Sequence, residues 1–298
     1  MNSNEYTANL LIAIIAAKVA GDAVLEVYDS NFSIEQKEDK SPLTLADKRS
    51  HEIIAKYLLN STQSKKCDNI PLLSEEGKDV PYGERKNWKY FWLVDPLDGT
   101  KEFIKRNGEF TINIALIHDG MPVLGVIYAP ALKVFYFAAR GVGAYKLLNY
   151  DVLSSVKPNS TGNKSIEFLK KISQKLPLIE NISPSVKKNV PLTVVASRSH
   201  LSKETEEYLS ALKQKHGEIE LVSIGSSLKF CLVAEGTADM YPRFGPTMEW
   251  DTAAGQAIAE GAGGQVTEFK TGGHLRYNKE NLVNPWFITS LNMINKAE

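Results

Sequence analysis

Cysteine is scarce in this chain: Cys67 and Cys231 are the two among 298 residues. They stand in unlike sequence contexts, so they do not outline a disulfide framework. Free thiols are typical of a reducing compartment. We therefore expect both cysteines to be unpaired and the protein to be cytoplasmic, with peripheral attachment to the inner membrane as an alternative.

Net charge is absent too, because the 35 basic and 35 acidic residues cancel. The chain then has no overall field that could recruit a nucleic acid or an anionic membrane surface. Any anionic partner must be held by local groups. We therefore expect a small-molecule partner.

Long apolar runs are missing as well. The stretch from Leu10 to Ala20 covers about 11 residues, whereas a membrane-spanning helix needs ~20. No basic region precedes it, which argues against an export signal. Lys18, Asp22 and Glu26 recur at helical spacing, so the stretch is predicted to be part of an amphipathic first helix that runs to about Tyr28.

Helices and strands are predicted to alternate along most of the chain. After the first helix, the first half contains a loop or short hairpin at 31–41, a helix at 44–59, and strands at 70–73, 88–94, 111–118, 123–128 and 134–138, the last three as an antiparallel meander. The second half has strands at 192–196, 219–223, 238–242 and 265–268, with helices at 203–216, 226–235 and 251–260. Residues 153–189 show little periodicity and are interpreted as an insertion or linker, with a short helix at 166–176.

The most informative segment is the end of the second predicted strand, where an apolar run meets Asp95, Pro96, Asp98, Gly99 and Thr100. The proline and glycine predict a tight turn that carries both carboxylates. Two such carboxylates repel unless a proton or a cation lies between them. Hard oxygen ligands at this density suit Mg²⁺ or Mn²⁺, and the threonine places a hydroxyl beside the ion.

Two further acids, Glu75 and Asp251, lie at junctions between predicted elements and loops. Each has a plain alternative explanation. Glu75 could be solvated in a loop, and Asp251 could cap the helix that it begins. Together with the acidic turn, however, they bring the number of acids at element ends to four.

Other acid-rich or phosphate-binding motifs fit poorly. In a calcium-binding EF-hand counted from Asp95, Thr100 would replace the loop glycine and Arg106 the closing glutamate. No glycine-rich loop ends in Gly-Lys-Ser/Thr, so a P-loop is not supported. The five histidines lack the spacing of a zinc pair; they are His51, His118, His200, His216 and His274.

Two linked motifs carry a family resemblance: Asp-Pro-Leu-Asp-Gly-Thr at 95–100 and Trp-Asp-Thr-Ala-Ala-Gly at 250–255. Together they resemble the paired signature of the inositol-monophosphatase-like superfamily of Mg²⁺-dependent, lithium-sensitive phosphatases. The resemblance runs from Asp47 to the carboxyl-terminal strands and is weakest at about 155–189. It implies a layered αβαβα sandwich, with an α+β metal-binding part at 1–150, a linker or insertion at 151–190 and an α/β substrate-specificity part at 191–298.

Two further stretches narrow this resemblance. Lys-Glu-Phe-Ile-Lys-Arg-Asn-Gly-Glu-Phe at 101–110 and Ser-Ile-Gly-Ser-Ser-Leu-Lys-Phe-Cys at 223–231 resemble the bacterial 3′(2′),5′-bisphosphate nucleotidases. The implied reaction, in sulfur metabolism, is hydrolysis of adenosine 3′,5′-bisphosphate to AMP and phosphate. The related 5′-phosphosulfate is a second candidate substrate.

The resemblance also implies roles for the acids. Glu75, Asp95 and the Leu97 carbonyl would hold one Mg²⁺, while Asp95, Asp98 and Asp251 would hold a second. A third, weaker ion would lie near Glu75. Such ions activate water and neutralise the leaving oxygen of a phosphate ester.

Catalytic and substrate contacts follow from the same resemblance. Thr100, oriented by Asp47 and with Glu75 beside it, would position the attacking water. Lys229 and Arg243 are candidates for a second phosphate, since both are cationic. The expected substrate-binding residues are Glu75, Leu97, Asp98, Gly99, Thr100, His200, Ser226, Lys229, Arg243 and Asp251.

Two alternatives remain open at the level of sequence. One is an inositol or sugar phosphate monoesterase of the same superfamily. The other is a non-catalytic nucleotide or metal sensor, which would not need the hydroxyl of Thr100 to position a water.

Overall fold

The computed structural model describes residues 1, 3–30, 34–36, 42–60, 70–148, 150–155, 162–177, 191–196 and 202–291. Within these ranges the α-helices are α1 (Ser3–Tyr28), α2 (Leu45–Asn60), α3 (Tyr82–Arg85), α4 (Thr100–Ile104), α5 (Gly162–Ile172), α6 (Lys203–His216), α7 (Leu228–Glu235) and α8 (Glu249–Gly261). A 3₁₀ turn covers Tyr150–Ser155. The strands are β1 (Ile34–Gln36), β2 (Pro42–Thr44), β3 (Leu72–Ser74), β4 (Tyr90–Asp98), β5 (Thr111–His118), β6 (Met121–Ala129), β7 (Val134–Ala139), β8 (Gly143–Leu147), β9 (Gln174–Lys175), β10 (Leu192–Val195), β11 (Ile219–Val222), β12 (Met240–Arg243), β13 (Gln265–Glu268) and β14 (Phe287–Ser290).

A seven-stranded sheet takes its strands in chain order, from β3 to β9. β3 is parallel to β4, and every later neighbour is antiparallel. The predicted meander is confirmed and extended by β8 and β9. Strand β4 is almost entirely buried because both of its faces are covered. Trp92 and Val94 lie in the core on one side of the sheet, and Phe91 and Leu93 lie in the core on the other.

A second sheet has five strands in the order β11, β10, β12, β14, β13. β10 is parallel to β11 and β12, while β14 is antiparallel to both of its neighbours. The two sheets draw on separate stretches of chain, 72–175 for the first and 192–290 for the second.

Five layers result from this packing. Helices α1 and α2 cover one face of the seven-stranded sheet, α7 and α8 fill the space between the sheets, and α6 covers the outer face of the five-stranded sheet. The layered αβαβα architecture is therefore confirmed. The middle layer matters most for the site, because α7 and α8 begin beside the strand end that carries the two aspartates.

Helix α1 differs from its prediction. Its end at Tyr28 is confirmed, but its middle is buried nearly all round instead of amphipathic. Leu10, Ala13, Ile14 and Ala17 are fully buried, because α1 contacts α2, α5 and the sheet at once. None of the helices in the described part of the chain has the length and apolar character of a membrane span.

The structure describes part of the region with little periodicity, residues 153–189. The predicted helix at 166–176 is observed as α5, shifted toward the amino terminus and followed by β9. The hairpin interpretation of 31–41 is supported by the antiparallel pairing of β1 with β2. Residues 156–161 and 178–190 of the linker lie outside the described residues, as does Cys67. Cys231 is a buried free thiol, and burial raises its pKa well above the ordinary value.

Candidate active site

The end of β4 forms the floor of the site. Its pairing with β5 shifts register between Asp95 and Asp98, so the predicted turn is in fact a bulged strand end. The Leu97 amide donates to Asp95 Oδ1 at 3.0 Å, and the Ser50 hydroxyl of α2 donates to the Pro96 carbonyl at 2.7 Å. Gly99 then turns the chain into α4 with a φ of 90°, which glycine adopts readily.

Asp95 is the most deeply placed acid, with 1% of its surface exposed. Burial raises its pKa well above the usual range, and the negative charges of Glu75, Asp98, Asp251 and Asp47 raise it further. The structure thus brings the other four predicted acids within electrostatic reach of Asp95. Glu75 arrives on the turn after β3 because β3 is parallel to β4, and its amide donates to the Val94 carbonyl at 3.1 Å.

Asp251 comes from the other half of the chain, in the first turn of α8. Asp251 is not the N-cap residue, which is Met248; it is the third residue of the helix, and its Oδ2 accepts the Met248 amide at 2.8 Å, as in a capping box. The side chain is also part of the acid cluster. Burial and the negative charge of Asp98 raise the pKa of Asp251 to about 8. The Met248 hydrogen bond and the positive charge of Arg243 lower this pKa, but their effect is smaller.

The acids fit a divalent cation by their chemistry. Among the described residues, no three His, Cys, Asp or Glu side chains converge to the spacing of a formed metal cage. Burial and the mutual repulsion of the acids raise the pKa values of Asp95 and Asp251, so a cation placed among them would stabilise their ionised forms. Oxygen ligands of this kind and number match Mg²⁺.

Asp98 is held by three side chains that the sequence analysis missed. Its Oδ2 accepts the Ser227 hydroxyl at 2.8 Å, the Asn113 amide at 3.4 Å and the Thr111 hydroxyl at 3.5 Å. Ser227 Oγ also lies 2.9 Å from the Asp251 carbonyl. The available signal was the pairing of β4 with β5, which sets Thr111 opposite Asp98 and Asn113 opposite Asp95.

A cavity of about 310 Å³ opens beside Asp98 and Asp251. The start of α7 and the end of β12 form one wall, with Lys229 and Arg243. Lys229 Nζ donates to the Ser226 carbonyl at 3.1 Å and lies 5.9 Å from the Tyr241 ring centroid. Burial lowers its pKa, and the neighbouring charge of Arg243 acts in the same direction.

The Arg243 guanidinium uses only part of its hydrogen-bonding capacity among the described residues. Its Nη2 donates to the Pro246 carbonyl at 3.1 Å, while its buried Nε has no hydrogen-bond partner among the described residues. The lining also includes Lys101 of α4 and Lys105, the residue that follows α4, four positions apart in the chain. The sequence analysis did not assign these two lysines, although spacing on a helix after Gly99 could have indicated them.

The other predicted site residues differ in how they are placed. Asp47 is buried on α2, and Thr100 is the first residue of α4. The Ser226 hydroxyl bonds to the carbonyls of Asp98 and Glu109 at 2.9 and 2.6 Å, so it ties α7 to the strand end, and its contact with substrate stays a prediction. His200 lies outside the described residues.

An αβαβα sandwich with acids gathered at the junction of its two sheets defines a class of protein. Sequence comparison identifies which class this is. The model of the inositol monophosphatase family matches residues 7–293, and the chain belongs to that family. Enzymes of the family depend on metal ions, typically Mg²⁺.

Individual relatives are more specific. The Salmonella typhimurium protein named 3′(2′),5′-bisphosphate nucleotidase CysQ is 48% identical over 275 residues, which cover 91% of this chain and 95% of the relative. A Buchnera aphidicola protein of the same name is 42% identical over 277 residues, covering 92% and 88%. The crystal structure of CysQ from Bacteroides thetaiotaomicron superposes with a TM-score of 0.79 at 47% identity, covering 96% of this chain and 98% of the other. An inositol monophosphatase from Anabaena, 23% identical with a TM-score of 0.64, shares the fold.

Proposed function

We propose that this chain is a Mg²⁺-dependent 3′(2′),5′-bisphosphate nucleotidase that hydrolyses the 3′-phosphate of adenosine 3′,5′-bisphosphate to AMP and phosphate. The names and high identity of the CysQ relatives support this proposal. The structural observation that carries it is one cavity that touches both Asp98 and Asp251 on one side and Lys229 and Arg243 on another. Acids and cations so arranged suit a substrate with two phosphates, one for each region.

The ion-holding residues would be Glu75, Asp95, Asp98 and Asp251 with the Leu97 carbonyl, and they would hold two or three Mg²⁺. When bound, Mg²⁺ supplies charge stabilisation for the phosphoryl group and the leaving oxygen. The protein shields these ligands from water and holds each of them in position. Asp95 is anchored by the Leu97 amide, Asp98 by Ser227, and Asp251 by the Met248 amide.

Thr100, Asp47 and Glu75 would handle the attacking water. The Thr100 hydroxyl, oriented by Asp47, would hold the water in line, and the one proton that the water loses would pass to the Glu75 carboxylate. The water oxygen forms a new bond to phosphorus as the bond to the 3′-oxygen breaks, and the 3′-oxygen takes up a proton from a solvent water. The burial of Asp47 supports an orienting role, since a buried carboxylate needs a fixed hydrogen-bond partner.

The second phosphate would bind Lys229 and Arg243. Both side chains line the cavity, and the Arg243 guanidinium has more donors than the one that bonds to the Pro246 carbonyl, so it can also bind a phosphate oxygen. The longer 5′-phosphosulfate would reach the same region and is a candidate second substrate. Gly99, which lines the cavity, and Thr100 directly follow Asp98, and their amides would face the scissile phosphate.

A phosphate-release assay tests the proposal. It compares adenosine 3′,5′-bisphosphate with 3′-AMP, inositol 1-phosphate and fructose 1,6-bisphosphate, each with Mg²⁺ and with added Li⁺. We expect the bisphosphate to have the highest kcat/KM and Li⁺ to inhibit. Faster turnover of the inositol or sugar phosphate would replace the nucleotidase with a monoesterase of the same family.

Two variants sharpen the assay. Asp98→Asn should abolish Mg²⁺-dependent turnover while the protein stays folded. If the wild-type protein instead binds the nucleotide and turns none of it over, a non-catalytic sensor is favoured. Lys229→Ala should reduce kcat/KM for the bisphosphate at least 10-fold more than for 3′-AMP, because a charged hydrogen bond is worth ~1.5–3 kcal/mol. Lys203→Ala is the matched control, since the Lys203 side chain on α6 is 85% exposed.

A further inference from the structure

The amino terminus of α8, which carries Asp251, is held by an irregular segment of the chain. This segment, residues 278–284, is here named the clasp and contains neither helix nor strand. The Glu249 amide donates to the Leu282 carbonyl at 2.9 Å, and the Asn284 side chain donates to the Met248 carbonyl at 2.7 Å. The clasp therefore accepts the Glu249 amide, a group that has no carbonyl partner within the helix, and adds a second donor to the Met248 carbonyl, which also accepts the Asp251 amide at 3.2 Å.

Glu249 joins the helix to the clasp through its side chain. It is completely buried, and its two carboxylate oxygens accept the Asn278 amide at 2.7 Å, the Lys279 amide at 3.0 Å and the Lys279 ammonium at 2.6 Å. A buried carboxylate with this many donors is held in one position. It stands two residues before Asp251, within the same helical turn.

Arg85 joins the clasp to the amino-terminal half. Its guanidinium donates to Asn278 Oδ1 at 2.9 Å and to the carbonyls of Lys279 and Glu280 at 2.7 and 3.0 Å. Asn278 returns a bond from its side-chain amide to the Arg85 carbonyl at 2.7 Å. Arg85 is 3% exposed and ends α3, on the stretch that follows the Glu75 turn.

We propose that Arg85 and Asn278 are positioning residues for the metal ligands, because they fasten the Asp251 end of α8 to the part of the chain that supplies Glu75, Asp95 and Asp98. Packing against the seven-stranded sheet fixes where α8 lies, but repulsion among the acids pushes its first turn away from Asp98. The clasp opposes that push. The inference rests on the metal ligands named in the proposed function.

Weakening the clasp should lower Mg²⁺ affinity more than it lowers the catalytic rate at saturating Mg²⁺. Asn278→Gly removes both side-chain bonds to Arg85, and glycine tolerates the φ of 70° found there. Arg85→Lys keeps the charge and removes the guanidinium fork. For both variants we expect the Mg²⁺ dissociation constant to rise about 10-fold, with kcat restored to within two-fold at high Mg²⁺.

Titration calorimetry with Mg²⁺ alone measures the affinity, and phosphate release at varied Mg²⁺ measures the recovery of kcat. Tyr136→Phe is the matched control, because it deletes a buried hydrogen bond between β7 and Glu235 of α7 that lies outside the acid cluster. It should lower the Tm and leave Mg²⁺ affinity unchanged. If Asn278→Gly and Arg85→Lys behave like this control, the positioning role is overturned. If the wild type itself takes up no Mg²⁺, the proposed function fails and the inference fails with it.

Discussion

At the scale of the residue, Ser227 links the Asp98 carboxylate to the backbone of Asp251, which comes from the other half of the chain. Its hydroxyl reaches both Asp98 Oδ2 and the backbone carbonyl of Asp251 and accepts the Asn113 amide at 2.8 Å. Residues that hold a metal ligand from behind influence metal affinity although they do not touch the ion. Under the proposed assignment of Asp98 as a metal ligand, Ser227, at 2% exposure, would act in this way.

Ser227→Ala should therefore weaken Mg²⁺ binding about 10-fold, because Asp98 loses its shortest hydrogen bond and can rotate away from the cluster. Titration of metal-free protein with Mg²⁺ gives the affinity. Ser223→Ala is a matched control, since the Ser223 hydroxyl bonds to the Ala196 carbonyl at 2.9 Å, away from the acids. Equal Mg²⁺ affinity in both variants would show that Ser227 does not support Asp98.

The raised pKa values of Asp95 and Asp251 predict how pH affects the metal-free protein. Both pKa values lie above the unfolded value of about 3.9, with that of Asp251 at about 8. The folded state then binds more protons than the unfolded state across this interval, so stability falls as pH rises toward the folded pKa.

In chelator, the Tm should decrease by several degrees between about pH 6 and pH 8.5. Saturating Mg²⁺ should remove most of this slope, because the ion stabilises the ionised carboxylates. Thermal melts at fixed ionic strength measure both series, and Asp251→Asn should flatten the slope in chelator. A metal-free Tm that increases across the interval contradicts the prediction.

At the scale of the element, local sequence signals located most of the structure. Helix α6 and strand β13 match their predictions at both ends. For α6 the reason is visible, since the Ser202 side chain caps its start and Gly217 follows its end. Strands β8 and β14 are short and were missed; β14 depends on the distant strand β12 for part of its pairing, whereas β8 pairs with β7 across a tight turn that the sequence analysis did not assign.

The candidate site shows the same difference between what local sequence signals predict and what depends on contacts between distant parts of the chain. The acids at 75, 95, 98 and 251 were found from motifs because their spacing is local to each strand or helix end. Thr111, Asn113 and Ser227 support Asp98 only through the register of β5 against β4 and the docking of α7, which no local pattern contains. The sequence analysis likewise predicted a turn where the structure has a bulge between Asp95 and Asp98. The segment is a strand because β4 pairs with β5 on both sides of the bulge, and no local pattern contains that pairing.

The contact between β6 and α8 depends on Gly125. A Cβ there would lie 2.5 Å from the Ala254 carbonyl oxygen and 2.8 Å from the Ala257 Cβ. Backbone cannot move aside as a flexible side chain would, so Gly125→Ala should cost about 1–3 kcal/mol of unfolding free energy. Urea denaturation measures the loss. Gly83→Ala, where nothing lies within 4 Å, should leave stability within about 0.5 kcal/mol of the wild type.

At the scale of the whole molecule, the two sheets meet across a shared layer of helices, and polar contacts as well as apolar ones join them. Glu235, at the end of α7, is 4% exposed and accepts hydrogen bonds from Tyr136 of β7 and, at 2.7 Å, from Lys146 of β8. Burial raises the Tyr136 pKa, with the charges of Cys231 and Glu235 adding to the effect, so its hydroxyl stays a donor. This network ties the carboxyl-terminal half of the chain to the seven-stranded sheet.

Glu235→Ala should destabilise the protein by about 3 kcal/mol, because it leaves the Tyr136 hydroxyl and the Lys146 ammonium without their buried partner. The kcat/KM for the bisphosphate should stay within two-fold, since none of the three residues lines the cavity beside Asp98. Urea denaturation and steady-state kinetics measure the two effects. The combined variant Glu235→Ala, Tyr136→Phe and Lys146→Met removes every polar member and should recover part of the lost stability. If the combined variant is instead less stable than Glu235→Ala alone, the cost arises from lost packing rather than from stranded polar groups.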